Sequence, residues 1–71
     1  MEYIHVSFDP YDIRNVIANG STIGQTETDL SLPSNYYEIT LSGSGYAPPM
    51  WGGLVSGTLP ERPLRIAFSK I

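Results

Sequence analysis

The chain has 71 residues, with seven glycines, six prolines, no cysteine and a formal net charge of −3. The longest runs free of both Gly and Pro are nine residues (Met1–Asp9, Tyr11–Asn19 and Ser34–Ser42), shorter than the about 11–12 residues of an average α-helix, so an all-helical fold is excluded. Disulfide and thiolate–metal staples are excluded by composition, a membrane-spanning run of about 18 apolar residues is missing, and an acidic chain of pI ≈ 4.7 with four basic residues lacks the cationic stripe that nucleic acid requires.

The first element is Glu2–Phe8. Ile4, Val6 and Phe8 alternate with Tyr3, His5 and Ser7, the period of two that marks a half-buried strand. Asp9-Pro10-Tyr11-Asp12 is a turn by composition. Ile13–Ala18 is β-branched and short and reads as a second strand. Its register is open, because Ile13/Ile17 and Val16/Ala18 fall on opposite faces. Asn19-Gly20 predicts a type I′ hairpin turn, which needs positive φ at both central residues. Ser21–Ile23 is the return strand, ending at Gly24. Gln25–Asp29 reads as a polar loop. Leu30–Leu32 alternates and stops at Pro33. Tyr36–Ser42 is the clearest strand, with Tyr37, Ile39 and Leu41 on an apolar face and Tyr36, Glu38 and Thr40 on a polar one. Tyr46–Pro49 reads as an extended connection of polyproline II type. Met50–Ser56 is a strand in which Gly52 and Gly53 point to a bulge or a close backbone approach. Gly57–Pro63 is a loop, and Leu64–Phe68 is the last strand. Six to seven short strands at this spacing predict an all-β fold: a small antiparallel β-sandwich or a partly open barrel, formed by residues 1–71 as a single β domain.

Asn19-Gly20, Ile23-Gly24-Gln25-Thr26, Leu30-Ser31-Leu32-Pro33, Tyr37-Glu38-Ile39-Thr40-Leu41 and the closing Gly45-Tyr46 together resemble a PEGA-type domain over residues 13–46. Pro10-Tyr11-Asp12-Ile13 stands where the family's naming tetrapeptide lies and shares only its Pro. The resemblance implies a small β-sandwich that serves as a non-enzymatic accessory or adhesion module of bacterial and archaeal surface and signalling proteins. It hands over no catalytic residue.

The chemistry-bearing residues are few. His5 is the lone histidine, and without a Cys or a second His a zinc site would need carboxylates beside it. Gly43-Ser44-Gly45 lacks the frame and the following helix of a nucleophile elbow, and reads as a turn. Asp9, Asp12, Glu27 and Asp29 lie in two loops that would share a hard cation such as Ca²⁺ if they met; capping of turns by Asp is the plainer reading. Asn19-Gly20-Ser21 matches a glycosylation sequon that the hairpin turn already explains. Pro60-Glu61-Arg62-Pro63-Leu64-Arg65 has the spacing of a proline-rich SH3 ligand, or of a stiffened loop presented by an inhibitor. Exposed aromatics on a rigid β scaffold are common anchors for protein partners or sugar rings. Tyr36, Tyr46, Trp51, Pro60 and Arg62 are therefore the candidate partner-binding residues, with core filling weighed against surface exposure for Tyr46 and Trp51.

The reading that follows is a non-enzymatic module without cofactor or metal. It recognises a protein, or alternatively a glycan, through exposed aromatics or an open edge strand. Neither nucleic acid nor membrane insertion is expected, and self-association to a homodimer would cover an open edge. The alternative is a stand-alone inhibitor or adaptor, of the kind phages encode, that blocks a cytosolic enzyme through its Pro-rich loop. A complete reading frame would place the chain in the cytoplasm; an excised domain would place it at the cell surface.

Overall fold

The computed structural model describes all residues, Met1–Ile71. It contains no helix and eight strands: β1 (Glu2–Asp9), β2 (Asn15–Ala18), β3 (Ser21–Gln25), β4 (Asp29–Leu32), β5 (Asn35–Leu41), β6 (Tyr46–Ala47), β7 (Trp51–Val55) and β8 (Leu64–Lys70). They form two four-stranded sheets. Sheet A has the order β4-β1-β8-β6 and sheet B the order β3-β2-β5-β7. The fold is a sandwich of two open sheets, and the barrel alternative is set aside. Pairing is antiparallel except at the centre of sheet A, where β1 and β8 run parallel with Phe8 beside Phe68.

The alternation of β1 works as the sequence requires. Ile4, Val6 and Phe8 are buried, and they meet Ile66 and Phe68 of β8, Val16 and Ala18 of β2, Ile39 and Leu41 of β5, Leu32 and Val55 in one core of eleven side chains. The β2 ambiguity resolves in favour of Val16 and Ala18; Ile13 lies before the strand and is exposed. Asn19 and Gly20 have φ of 49° and 84°, the left-handed pair a type I′ turn needs.

Three expectations change. Tyr46–Ala47 is an eighth strand, not a polyproline connection: it pairs with Lys70 and Ser69 at the end of β8, because the long C-terminal strand extends past Phe68 and offers it a ladder. The polar loop expected over Gln25–Asp29 is shorter than that, since β3 runs to Gln25 and β4 starts at Asp29. The loop between them is three residues, and its Thr26 is fully buried. Finally, β7 has no bulge. It pairs with β5 in unbroken register from Asn35↔Val55 to Ile39↔Trp51. Gly53 is needed for packing: a Cβ there would come within 3.1 Å of the Trp51 ring.

Candidate functional site

The polar groups of the sandwich gather at one end, where the β1–β2, β3–β4 and β5–β6 loops meet around Arg14. The Arg14 guanidinium lies 4.5 Å from the Phe8 ring centroid and 5.8 Å from that of Tyr46, a cation–π arrangement. Its Nη1 donates to the carbonyls of Ser42 (3.3 Å) and Ser44 (3.0 Å), and its Nε to Asp12 Oδ2 (3.1 Å). Behind it, the Thr26 hydroxyl donates to the Asp12 carbonyl (2.8 Å) and accepts from the Arg14 N–H (2.9 Å). The Thr26 N–H reaches the Arg14 carbonyl at 2.8 Å. Arg14 is the one basic residue among the first 61. That isolation is the signal by which the sequence could have shown this node, which its motifs did not.

Tyr46 belongs to the same end. Its ring stands edge-on to Phe68 at 5.5 Å. Its hydroxyl donates to the Leu41 carbonyl (3.0 Å) and accepts from the Leu41 N–H (3.1 Å). A tyrosine bound to backbone a few residues upstream is a corner pin familiar from other β-sandwiches. The pin joins β6 of sheet A to β5 of sheet B. Tyr46 is thus half-buried and committed, and its hydroxyl is not available to a partner. The one cavity, about 230 Å³, is lined by Gly43, Ser44, Gly45, Tyr46 and Pro49, below the about 300–1,000 Å³ of typical ligand sites.

Other sequence candidates are likewise engaged. His5 Nδ1 sits 2.9 Å from Asp29 Oδ1, and its Nε2 is 3.8 Å from Glu27 Oε1; no hydroxyl is hydrogen-bonded to the ring. Asp12 serves Arg14, Glu27 Oε2 accepts from the Phe8 N–H at 3.2 Å, and Asp29 serves His5. The four loop carboxylates, Asp9 included, do not converge, and no group of three or more His, Asp or Glu is placed to hold a metal ion. The shared-cation reading fails because Asp12 turns to Arg14 while Glu27 and Asp29 turn to Phe8 and His5 of β1. The Asn19 side chain donates to the Tyr36 carbonyl (3.2 Å) and accepts from the Glu38 N–H (2.9 Å). The sequon amide is therefore occupied. At the far end from Arg14, the Glu2 carboxylate accepts from both the hydroxyl (2.6 Å) and the N–H (2.8 Å) of Thr58. These two bonds, the hydroxyl first, lower the Glu2 pKa.

The proline-rich segment is not extended. Leu59 and Arg62 bridge through two backbone hydrogen bonds of 2.9 and 3.3 Å, so Pro60-Glu61 forms a tight turn. An SH3 groove needs a polyproline II ligand, and that reading is corrected. Pro60 is exposed at the turn's tip and Arg62 at its base.

The outer face of sheet B is different. Tyr36 is 68% exposed, and its cross-strand partner Leu54 is 57% exposed. Met50, just before β7, is 44% exposed, and Ile17 is half-buried on the same face. Trp51 points the other way. It packs against the core over Gly53 and stays half-buried at the sheet edge. Tyr36 and the Pro60 turn lie toward one end of the sandwich, Tyr46 toward the other. Tyr11, the other strongly exposed tyrosine, is in the β1–β2 loop at the Arg14 end. The two tyrosines thus sit at opposite ends and make no shared platform for a sugar ring.

These features define a class: a small all-β sandwich with its loops tied at one end and an uncovered apolar strip along one sheet margin. The chain belongs to the PEGA domain family, whose model matches residues 4–50, about two-thirds of its length. The PEGA domain is not a known catalytic family. No curated protein and no solved structure matches the chain.

Proposed function

We propose that the chain is a non-enzymatic recognition module whose partner is a protein segment in extended conformation. The observation that carries this reading is the coincidence, at β7, of exposed apolar side chains with unpaired backbone groups. Glu38 exchanges hydrogen bonds with Asn19 through its N–H and carbonyl, and Ser42 N–H bonds Asn15. Even-numbered residues of β5 therefore turn toward β2. Backbone groups alternate along a strand, so Tyr37 and Ile39 turn toward β7 and pair with Gly53 and Trp51. By the same alternation, the N–H and carbonyl groups of Gly52 and Leu54 turn outward. No loop or side chain reaches them.

A strand added there would gain main-chain hydrogen bonds from Gly52 and Leu54 and apolar contact from Leu54, Met50 and Tyr36. This is the β-augmentation mode of peptide recognition. The alternative, an inhibitor acting through Pro60 and Arg62, has the exposure of a turn in its favour and no open ladder beside it. Family membership agrees with an accessory role.

Selection of extended peptides from a displayed library on the immobilised chain tests the proposal, followed by chemical-shift mapping of the bound site. The expected shifts cluster on Tyr36, Gly52 and Leu54. Shifts confined to the Pro60–Arg62 turn would favour the inhibitor reading instead.

A further inference from the structure

The four sheet edges are not alike. Natural proteins protect edges with short strands, charges, prolines and bulges. The β4 edge is four residues long, carries the exposed Asp29 and runs into Pro33. The β6 edge is two residues long and runs into Pro48-Pro49. The β3 edge is interrupted by a register shift against Val16/Ile17, and its exposed side chains are Ser21, Thr22 and Gln25. Within its length the β7 edge has none of these devices, and the Pro48-Pro49 pair stands before Met50, outside its ladder. It is five residues, Trp-Gly-Gly-Leu-Val, in unbroken register with β5, without charge or proline.

We propose that β7 is the interface of a twofold dimer, in which two copies of the chain pair β7 with β7 antiparallel. This rests on the reading of β7 as the open recognition edge and names the occupant that fills it when no other partner is present. The strand's own symmetry fixes the register. A twofold axis at Gly53 sets Gly52 of one copy opposite Leu54 of the other, and Leu54 opposite Gly52. Those residues carry the outward N–H and carbonyl groups, so all four hydrogen bonds of the two pairs close together, while Gly53 faces Gly53 in a non-hydrogen-bonded position.

Side chains agree with this register. Gly52 and Leu54 share the outer face, so each Leu54 lies beside a residue with no side chain of its own. The only atom near a Cβ built at Gly52 is the Met50 terminal methyl at 4.0 Å. Leu54 of the second copy thus lies over Gly52, flanked by Met50 and Leu54 of the first. No like charges meet, since β7 has none and Glu38 is one strand further in. The joined molecule has a continuous eight-stranded sheet and two fewer open edges. Such isologous contact, the same patch used on both copies, is the commonest form of homo-oligomer.

Sedimentation velocity from about 10 µM to about 1 mM, with the variants Leu54→Lys, Leu54→Pro and Thr22→Lys, tests the dimer. Leu54 is exposed and its N–H points away from β5, so both Leu54 substitutions leave the β5–β7 ladder intact. The expected result is a concentration-dependent dimer whose dissociation constant rises at least about tenfold in both Leu54 variants and is unchanged in Thr22→Lys. In a mixture of isotope-labelled and unlabelled chains, intermolecular contacts between Leu54 methyls and Gly52 Hα confirm the register. A monomer across the range that still binds selected peptides at Gly52 and Leu54 overturns the dimer and leaves the recognition reading standing. A monomer that binds none at β7 removes both. A dimer weakened by Thr22→Lys and unaffected at Leu54 places the interface on β3 and also overturns the proposal.

Discussion

The Arg14 end and the β7 margin treat their hydrogen-bonding groups in opposite ways. At the Arg14 end every polar group that the loops bring inward has a partner, and the structure contains no buried side-chain nitrogen or oxygen without one. At β7 the main-chain groups of Gly52 and Leu54 have none, and Leu54, Met50 and Tyr36 stand in solvent. A domain of this size buries only about 60% of its unfolded surface, so it has little stability to spare. The contrast teaches where that stability resides. The tied end holds the two sheets together, and the open margin leaves its groups unpaired, which is what the proposed recognition role requires.

The largest expected loss comes from the tied end. Thr26→Val removes a buried hydroxyl of matching shape and strands the Arg14 N–H, so urea denaturation should show a loss of about 2 kcal/mol. Tyr46→Phe keeps the ring against Phe68 but frees both groups of Leu41; about 1.5 kcal/mol is expected in the same assay. A Thr26 variant as stable as the parent would show that the loops are held by other contacts.

Glu2 gives a smaller effect that depends on pH. Its folded pKa lies below the ordinary 4.5, so its contribution is complete above that value and is lost as pH falls through the folded pKa. Thermal melts of the parent and Glu2→Gln should therefore differ at neutral pH and converge on acidification below about 4.5. Curves that run parallel over this range would mean that Thr58 does not distinguish the two protonation states. At the other side of the comparison, Tyr36→Ser and Leu54→Lys should change stability by no more than about 0.5 kcal/mol. A larger loss in either would mean that the β7 margin belongs to the folding core.

Much of the sandwich was legible in residue patterns, and the exceptions have physical reasons. The period of two in Ile4-His5-Val6-Ser7-Phe8 and in Tyr37–Leu41 announced strands and their buried faces. Asn19-Gly20 announced its turn because few other residue pairs accept positive φ twice. Tyr46–Ala47 escaped because a two-residue strand has no period of its own; only the reach of β8 to Lys70 makes it one. Thr26 escaped because a hydroxyl between polar neighbours looks solvated, and its burial depends on Arg14 and Asp12 arriving from another loop. The parallel β1–β8 pairing was invisible for the same reason, since it joins residues some sixty positions apart.

Among the candidate site residues, Tyr36 was read correctly as outward-facing from its place opposite Tyr37. Tyr46 and Trp51 were ambiguous, because an aromatic beside Gly and Pro fits a core edge and a surface equally well. Leu54 and the alternation at Gly52 were missed. Their significance lies in which backbone groups face outward, and that follows from the β5 register rather than from any side chain.

Amide hydrogen exchange on the dilute chain tests the central claim most directly. Trp51 and Gly53, bonded to β5, should exchange at least about a hundredfold more slowly than Gly52 and Leu54, which should approach the rates of an unstructured peptide. Equal protection at all four positions under dilution would mean that the margin is already covered, and the recognition surface would have to be sought elsewhere.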